Sequence, residues 1–241
     1  FEKLVALKPD VVFLYGLTGK NAVTDKLHEL GLKTVYIGDY VENNPLGRAE
    51  WITVFGEFTG RRELARTLFD SISNEYNRAK ALVSGVEKRP EVMLNAPWQD
   101  SWFVPGDRSY MVRLLEDAGG NYACRGVDSD QSRPISTETA FVAASQSDFW
   151  LSPGTATSLA ELNAMNPRFG SIPPVRNGNV YNNNARTTPE GGSDFWESGV
   201  LRPDRVLADL VHIFHQLAKA HDGQSKEQRA EHAADQHHDP H

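Results

Sequence analysis

The chain has 241 residues, 39% of them hydrophobic, which is enough for one large domain or two modest lobes; nothing calls for oligomerisation, so a monomer is expected. A formal charge of −7 argues against a nucleic-acid partner, because such binding is driven by Lys and Arg neutralising phosphates. The single cysteine, Cys124, excludes an intramolecular disulfide framework and a paired-cysteine zinc site, and no apolar run approaches the roughly 20 residues that span a bilayer.

The chain begins "FEKLVALKPDVVFLYG", in the middle of a pattern, with neither an initiator Met nor the charged and apolar regions of a signal peptide. Upstream sequence, including any export signal, is therefore expected to be missing. Asp10 to Gly16 is a continuous apolar run closed by Gly, which predicts a strand buried on both faces of a parallel sheet. In "TDKLHELGLKTVYIGD", Leu27 and Leu30 share a helical face, Gly31 suits the residue after a helix end, and Thr34 to Ile37 read as a second strand. "NNPLGRAEW" predicts a turn and a short helix beginning near Arg48.

A long helix is predicted from Thr59, as N-cap, to about Val83, because Leu64, Leu68, Phe69, Ile72, Tyr76, Ala79, Leu82 and Val83 recur at helical spacing. At 1.5 Å per residue it would run about 35 Å, long enough to tie two lobes together. Glu91 to Pro97 then reads as a strand, "WQDSWFVPGDRSY" as an aromatic loop, and the following residues as a helix to about Asp117, stopped by "DAGGN". "ISTETAFVAASQSDFWLS" repeats the opening, with Glu138, a short apolar helix, Asp148 and a strand ending at Ser152. "SLAELNAM" and "GNVYNNN" supply a further helix and strand.

The two halves thus resemble each other: Glu2 corresponds to Glu138, Asp10 to Asp148, and Val35 and Tyr36 to Val180 and Tyr181, which implies two similar lobes. The last helix is predicted from Pro203, at the first helical position, through Leu217. Beyond Ala220 almost nothing is available to bury, and a disordered tail is expected. The resulting scheme is α/β: an incomplete amino-terminal lobe (1–58), an inter-lobe helix (59–84), a carboxy-terminal lobe (85–219) and a His-rich tail (220–241).

Common catalytic and nucleotide motifs are missing. "GLTGKN" lacks the spacing and the final Ser or Thr of a phosphate loop, and there is no G-x-G-x-x-G, G-x-S-x-G or H-E-x-x-H. His212 and His215 are near enough on one helix to share a metal, but a fixed site needs further ligands from a rigid element, so no metal site is assigned. The strand-end loops are more informative, since ligands of open α/β sheets bind beyond the carboxyl ends of strands. Those loops carry Tyr15, Tyr40, Trp98, Trp102, Tyr110, Arg108 and Arg186, residue types that stack on flat conjugated ligands and pair with their carboxylates. Packing in a hinge core is the competing role for Trp98 and Trp102. Glu2 and Glu138 stand at helix starts, where the dipole favours a carboxylate; a matched pair, one per lobe, also suits two-point docking on a partner with arginines.

As an ordered set, "FEKLVALKPDVVF", "PLGRAEW", "DAGGNYA", "ISTETAFVAASQSDFWL" and "NNNARTTPEGGSDFWESGVLRPDRVLADLVHIFH" resemble the substrate-binding proteins of iron-complex and cobalamin ABC importers over residues 1 to about 217. "PLGRAEW" and "DFWESGVLRPD" are similar to the branch found in Bacteroides-like bacteria. The resemblance implies two lobes bridged by a rigid helix, with an iron chelate (a siderophore complex), haem or corrinoid such as cobalamin held in the cleft between them. It also implies no catalysis and no resident cofactor. Delivery to a membrane permease, with Glu2 and Glu138 meeting permease arginines, follows from it, as does export to the periplasm, often as a lipid-anchored protein. Family members carry a further first portion of the amino-terminal lobe that is absent here. Two alternatives are weighed: a zinc or manganese binding protein of a metal importer, favoured by the His-rich tail, and an α/β enzyme using Asp194 and Glu197 as acid and base.

Overall fold

The computed structural model describes residues 1–16, 21–98 and 101–216. The predicted end of the last helix at Leu217, the His-rich tail and most of "GLTGKN" lie outside the described residues. Contacts divide the chain into two compact units, Phe1–Asn43 and Asn44–His241.

The first unit contains α1 (Glu2–Leu7), β1 (Val12–Tyr15), α2 (Ala22–Glu29) and β2 (Thr34–Ile37). β1 and β2 pair in parallel, Val12 opposite Thr34 and Tyr15 opposite Ile37. The Asn21 side chain caps α2, accepting from the Thr24 backbone N–H at 2.9 Å. Gly31 follows the end of α2 at φ +75°, and its N–H returns to the His28 carbonyl, so the predicted stop is found at its predicted residue. Leu27 is buried, but β1 is only half-buried rather than covered on both faces. The reason is local: among the described residues β1 has β2 as its one hydrogen-bonded neighbour.

The second unit opens with α3 (Pro45–Glu50), α4 (Ile52–Phe58) and α5 (Arg62–Leu82). α3 begins earlier than expected because Asn44 caps it, accepting from Leu46 N–H at 3.0 Å, with Pro45 at the first helical position. Thr59 is not the N-cap of the long helix; it ends α4, donating its hydroxyl to the Phe55 carbonyl at 2.8 Å, and Gly60 at φ +68° completes that stop. On α5 the buried residues Ile72, Tyr76 and Ala79 keep the predicted helical spacing.

The next elements are β3 (Glu91–Leu94), β4 (Pro97–Trp98), β5 (Ser101–Val104), α6 (Tyr110–Asp117), β6 (Asn121–Tyr122), β7 (Arg133–Ser136), α7 (Thr137–Ser145) and β8 (Phe149–Leu151). The unit closes with α8 (Leu159–Met165), α9 (Pro173–Arg176), β9 (Val180–Tyr181), α10 (Ser198–Leu201) and α11 (Pro203–His215). β6, β3, β8 and β9, in that order, form a wholly parallel sheet, and β4, β5 and β7 form a smaller antiparallel one. The expected α/β class with mainly parallel pairing is therefore present. α11 packs along α5, and the Tyr76 hydroxyl donates to Asp117 at 2.7 Å, linking α5 to the end of α6.

One core serves this unit, and Cys124 lies in it beside Met93, with the two sulfur atoms 3.6 Å apart. Burial pushes the thiol up to about 11, against the opposing pull of Arg133. The unfolded chain therefore ionises this thiol first, so stability is fully present below the ordinary thiol value and falls as pH rises from about 9 to about 11. The expected loss is about 1–2 kcal/mol at pH 10.5, after discounting for partial solvation. Urea unfolding at pH 8 and pH 10.5 checks it: Cys124→Ala should show a smaller alkaline loss than the unaltered chain, and equal losses would refute the assignment.

Candidate ligand-binding site

The carboxyl ends of the parallel strands are where a flat ligand would be held. Tyr15, the last residue of β1, is 70% exposed, and its ring stacks on Tyr40 with centroids 5.1 Å apart and planes 22° from parallel. Tyr40 sits in the short 3₁₀ turn Asp39–Val41 after β2, so adjacent parallel strands present one two-ring platform. Trp98 ends β4 and is 71% exposed. These aromatic surfaces are available for stacking.

Trp102 and Tyr110 were expected beside them and are not. Trp102 is 0% exposed: β5 turns it inward, its indole N–H donates to the Leu94 carbonyl at 3.1 Å, and Trp150, Phe141 and Phe169 surround it. It packs the core, the competing role foreseen for it. Tyr110 is 4% exposed, with the Arg48 guanidinium 4.3 Å from its ring centroid. Burial pushes its phenol up to about 12, with Arg48 pulling it down. Neither side chain offers a face to a ligand.

The two predicted arginines lie at separate places in the second unit. Arg108 pairs with Asp128 at 2.9 Å and borders a cavity of about 380 Å³ with Lys80, Asp107, Arg113 and Asp117. Arg186 follows β9; its guanidinium meets the Asp194 carboxylate at 2.6 Å and donates to the Ser198 hydroxyl at 3.0 Å. That hydroxyl in turn donates to Asp194 at 2.6 Å, closing a triangle. Asp194 is thus occupied as an anchor for Arg186, while Glu197 stands at the N-cap position of α10 without a side-chain capping hydrogen bond. Arg186 borders a cavity of about 570 Å³ that also takes in Arg202 and Arg205. The two latter residues were overlooked, although "RPDR" spaces them three apart across the start of a helix, on one face.

Glu2 lies in the first turn of α1, and Glu138 in the first turn of α7, where the Ser136 hydroxyl caps Thr139 N–H at 3.1 Å. Both carboxylates are exposed. Arg168 donates to Glu138 Oε1 at 3.0 Å while its guanidinium lies 4.2 Å from the Phe141 ring centroid. Sequence spacing gives no sign of this pair, since Arg168 comes from the turn after α8. His215 meets the Ala118 carbonyl at 3.0 Å, and among the described residues no group of three or more His, Cys, Asp or Glu is placed to hold a metal ion. No helix among them is long and apolar enough to cross a membrane.

Comparison with known proteins identifies the family. Residues 1–187 match the model of the periplasmic binding protein family. The uncharacterized lipoprotein MJ0878 of Methanocaldococcus jannaschii is 28% identical over 218 residues, covering 89% of this chain and 50% of that protein. The chain spans about half the length of two of the curated relatives it matches and 63% of a third. Among solved structures, the apo form of the periplasmic heme-binding protein RhuT from Roseiflexus sp. RS-1 superposes with a TM-score of 0.68 at 17% identity, over 89% of this chain and 79% of that one. A periplasmic heme binding protein from Pseudomonas aeruginosa gives 0.65 at 20% identity, over 90% and 76%. At these identities the structures share the fold, while the family match covers well over half of the chain: it belongs to the periplasmic binding protein family.

Proposed function

We propose that this chain is part of a substrate-binding protein of an ABC importer, one that captures an iron chelate, haem or corrinoid and hands it to a membrane permease. The observation that carries the reading is the pair of exposed aromatic surfaces, the Tyr15 and Tyr40 stack and the Trp98 face, at strand ends of a chain in the periplasmic binding protein family. The heme-binding proteins that share its fold support that ligand class. Capture needs no bond making: in this reading an exposed aromatic face covers a flat ligand, and Arg186, held in place by Asp194, has N–H groups to spare for an anionic arm. A lipoprotein among the relatives supports export and a lipid anchor. Glu2 and Glu138 are the docking carboxylates of this reading, each exposed on the first turn of a helix.

Full-length protein, including the sequence upstream of Phe1, should be titrated with haem, a ferric catecholate and cobalamin while tryptophan fluorescence is followed. Saturable quenching by one of the three at micromolar concentration is expected. Trp98→Ala and Tyr15→Ala should each weaken that ligand by about tenfold, the loss of one stacking face. No quenching by any of them, or binding of bare zinc alone, would overturn the ligand class.

A further inference from the structure

The geometry points to a second recognition site in the cavity of about 570 Å³ beside α10 and the start of α11, one that takes an organic polycarboxylate on Arg186, Arg202 and Arg205. Two of the three guanidinia are already fixed. Arg186 is locked in the triangle with Asp194 and Ser198. Arg202 is gripped by Asp204, which is 0% exposed, through a two-pronged pair: Nε to Oδ1 at 2.9 Å and Nη2 to Oδ2 at 2.6 Å. Each still has N–H donors to spare, because a guanidinium carries five. Arg205, one turn into the helix, has no hydrogen bond or ion pair of its side chain among the described residues.

The charge balance follows from those pairings. Asp194 pairs with Arg186 and Asp204 with Arg202, while Asp209, one turn along α11 from Arg205, also borders the cavity, so the three arginines stand among three carboxylates and Arg205 is the one whose guanidinium is not engaged in a direct pair. An incoming anion meets one free guanidinium and two whose positions are set before it arrives, which lowers the ordering cost of binding. The size of the cavity decides what kind of anion. It falls within the roughly 300–1,000 Å³ of small organic ligand sites. Its wall also includes Phe195, Gly199 and Val206, so carbon has surface to rest on that a bare inorganic ion would leave unused. Planar carboxylates match the guanidinium fork.

This inference shares Arg186 with the proposed function, so the anion has two sources, a carboxylate-bearing arm of the captured chelate or a separate small molecule, which the titrations below distinguish. Calorimetric titration of the full-length protein with citrate, and separately with inorganic phosphate, tests it. Citrate is expected to bind with Kd at or below about 1 mM, more tightly than phosphate. Arg205→Ala should weaken citrate by about tenfold, and Arg205→Lys, which keeps the charge but loses the fork, by less. Arg176→Ala, on α9, should leave citrate binding unchanged and so exclude a general charge effect. Circular dichroism confirms that each variant folds.

Citrate that fails to bind, phosphate that binds as tightly as citrate, or citrate binding that Arg205→Ala does not alter would each overturn the site. The fluorescence titration with haem, ferric catecholate and cobalamin, run on the same preparations, separates the two proposals. Chelate binding without citrate binding leaves the transport reading intact and removes only this one. If citrate weakens chelate binding competitively, the cavity holds the arms of the chelate; if both bind together, it holds a separate small molecule.

Discussion

Trp102→Ala is expected to lower the unfolding free energy of the second unit by about 3–5 kcal/mol, the cost of emptying a fully buried aromatic site. Three contributions act together. The indole fills the space between Trp150, Phe141 and Phe169, with ring centroids at 5.4, 6.5 and 6.1 Å. Its N–H satisfies the Leu94 carbonyl at the end of β3, which would be left without that donor. Its strand, β5, joins β4 to β7 and so holds the hairpin that presents Trp98. Since a whole domain is stable by only about 5–15 kcal/mol, the variant should show a large drop in urea midpoint. Trp102→Phe, which keeps a ring and loses the N–H, should lose less. A variant with an unchanged midpoint and weakened chelate binding would mean that Trp102 stacks on a ligand after all.

The contrast between Trp98 and Trp102 shows what the sequence could and could not say. Both were read in one aromatic loop, and both residue types suit a binding surface. "SWFV" nevertheless alternates, with Trp102 and Val104 buried and Phe103 exposed, the period of a strand that was hidden by the Pro-Gly pair immediately after it. Which face of a four-residue strand meets the core depends on partners elsewhere in the chain, here β7, and no local pattern supplies that. Thr59 illustrates the same limit at a helix boundary. Thr is a good N-cap by type, yet "TG" before "RRE" is also a stop signal, here the end of α4. By contrast, the parallel strands, the Gly31 stop and the start of α11 at Pro203 were legible because each depends on residues within one turn or one run. Tyr15, Trp98 and Arg186 are residue types that sequence alone suggests for binding, and Tyr15 and Trp98 are each exposed; Arg202 and Arg205 were not singled out, because tertiary packing brings them to the cavity beside Arg186.

Charge reversal at Glu138 should separate docking from capture. The Glu138 carboxylate is held at 3.0 Å by Arg168, but both side chains are exposed, so the pair contributes about 1 kcal/mol or less to the fold. On the proposed docking reading, a permease arginine would share or replace Arg168, which rests on the Phe141 ring, at little cost. Glu138→Arg would set two like charges beside each other and present a cation where the partner also presents one, a juxtaposition worth several kcal/mol against association. Uptake by vesicles reconstituted with the full-length protein and its permease should fall at least tenfold, corresponding to about 1.4 kcal/mol, while the affinity for the captured chelate stays the same. Arg168→Ala should leave uptake intact, because it removes only the internal partner. Undiminished uptake with Glu138→Arg would exclude this carboxylate from docking, and a parallel loss of chelate affinity would assign it to capture instead.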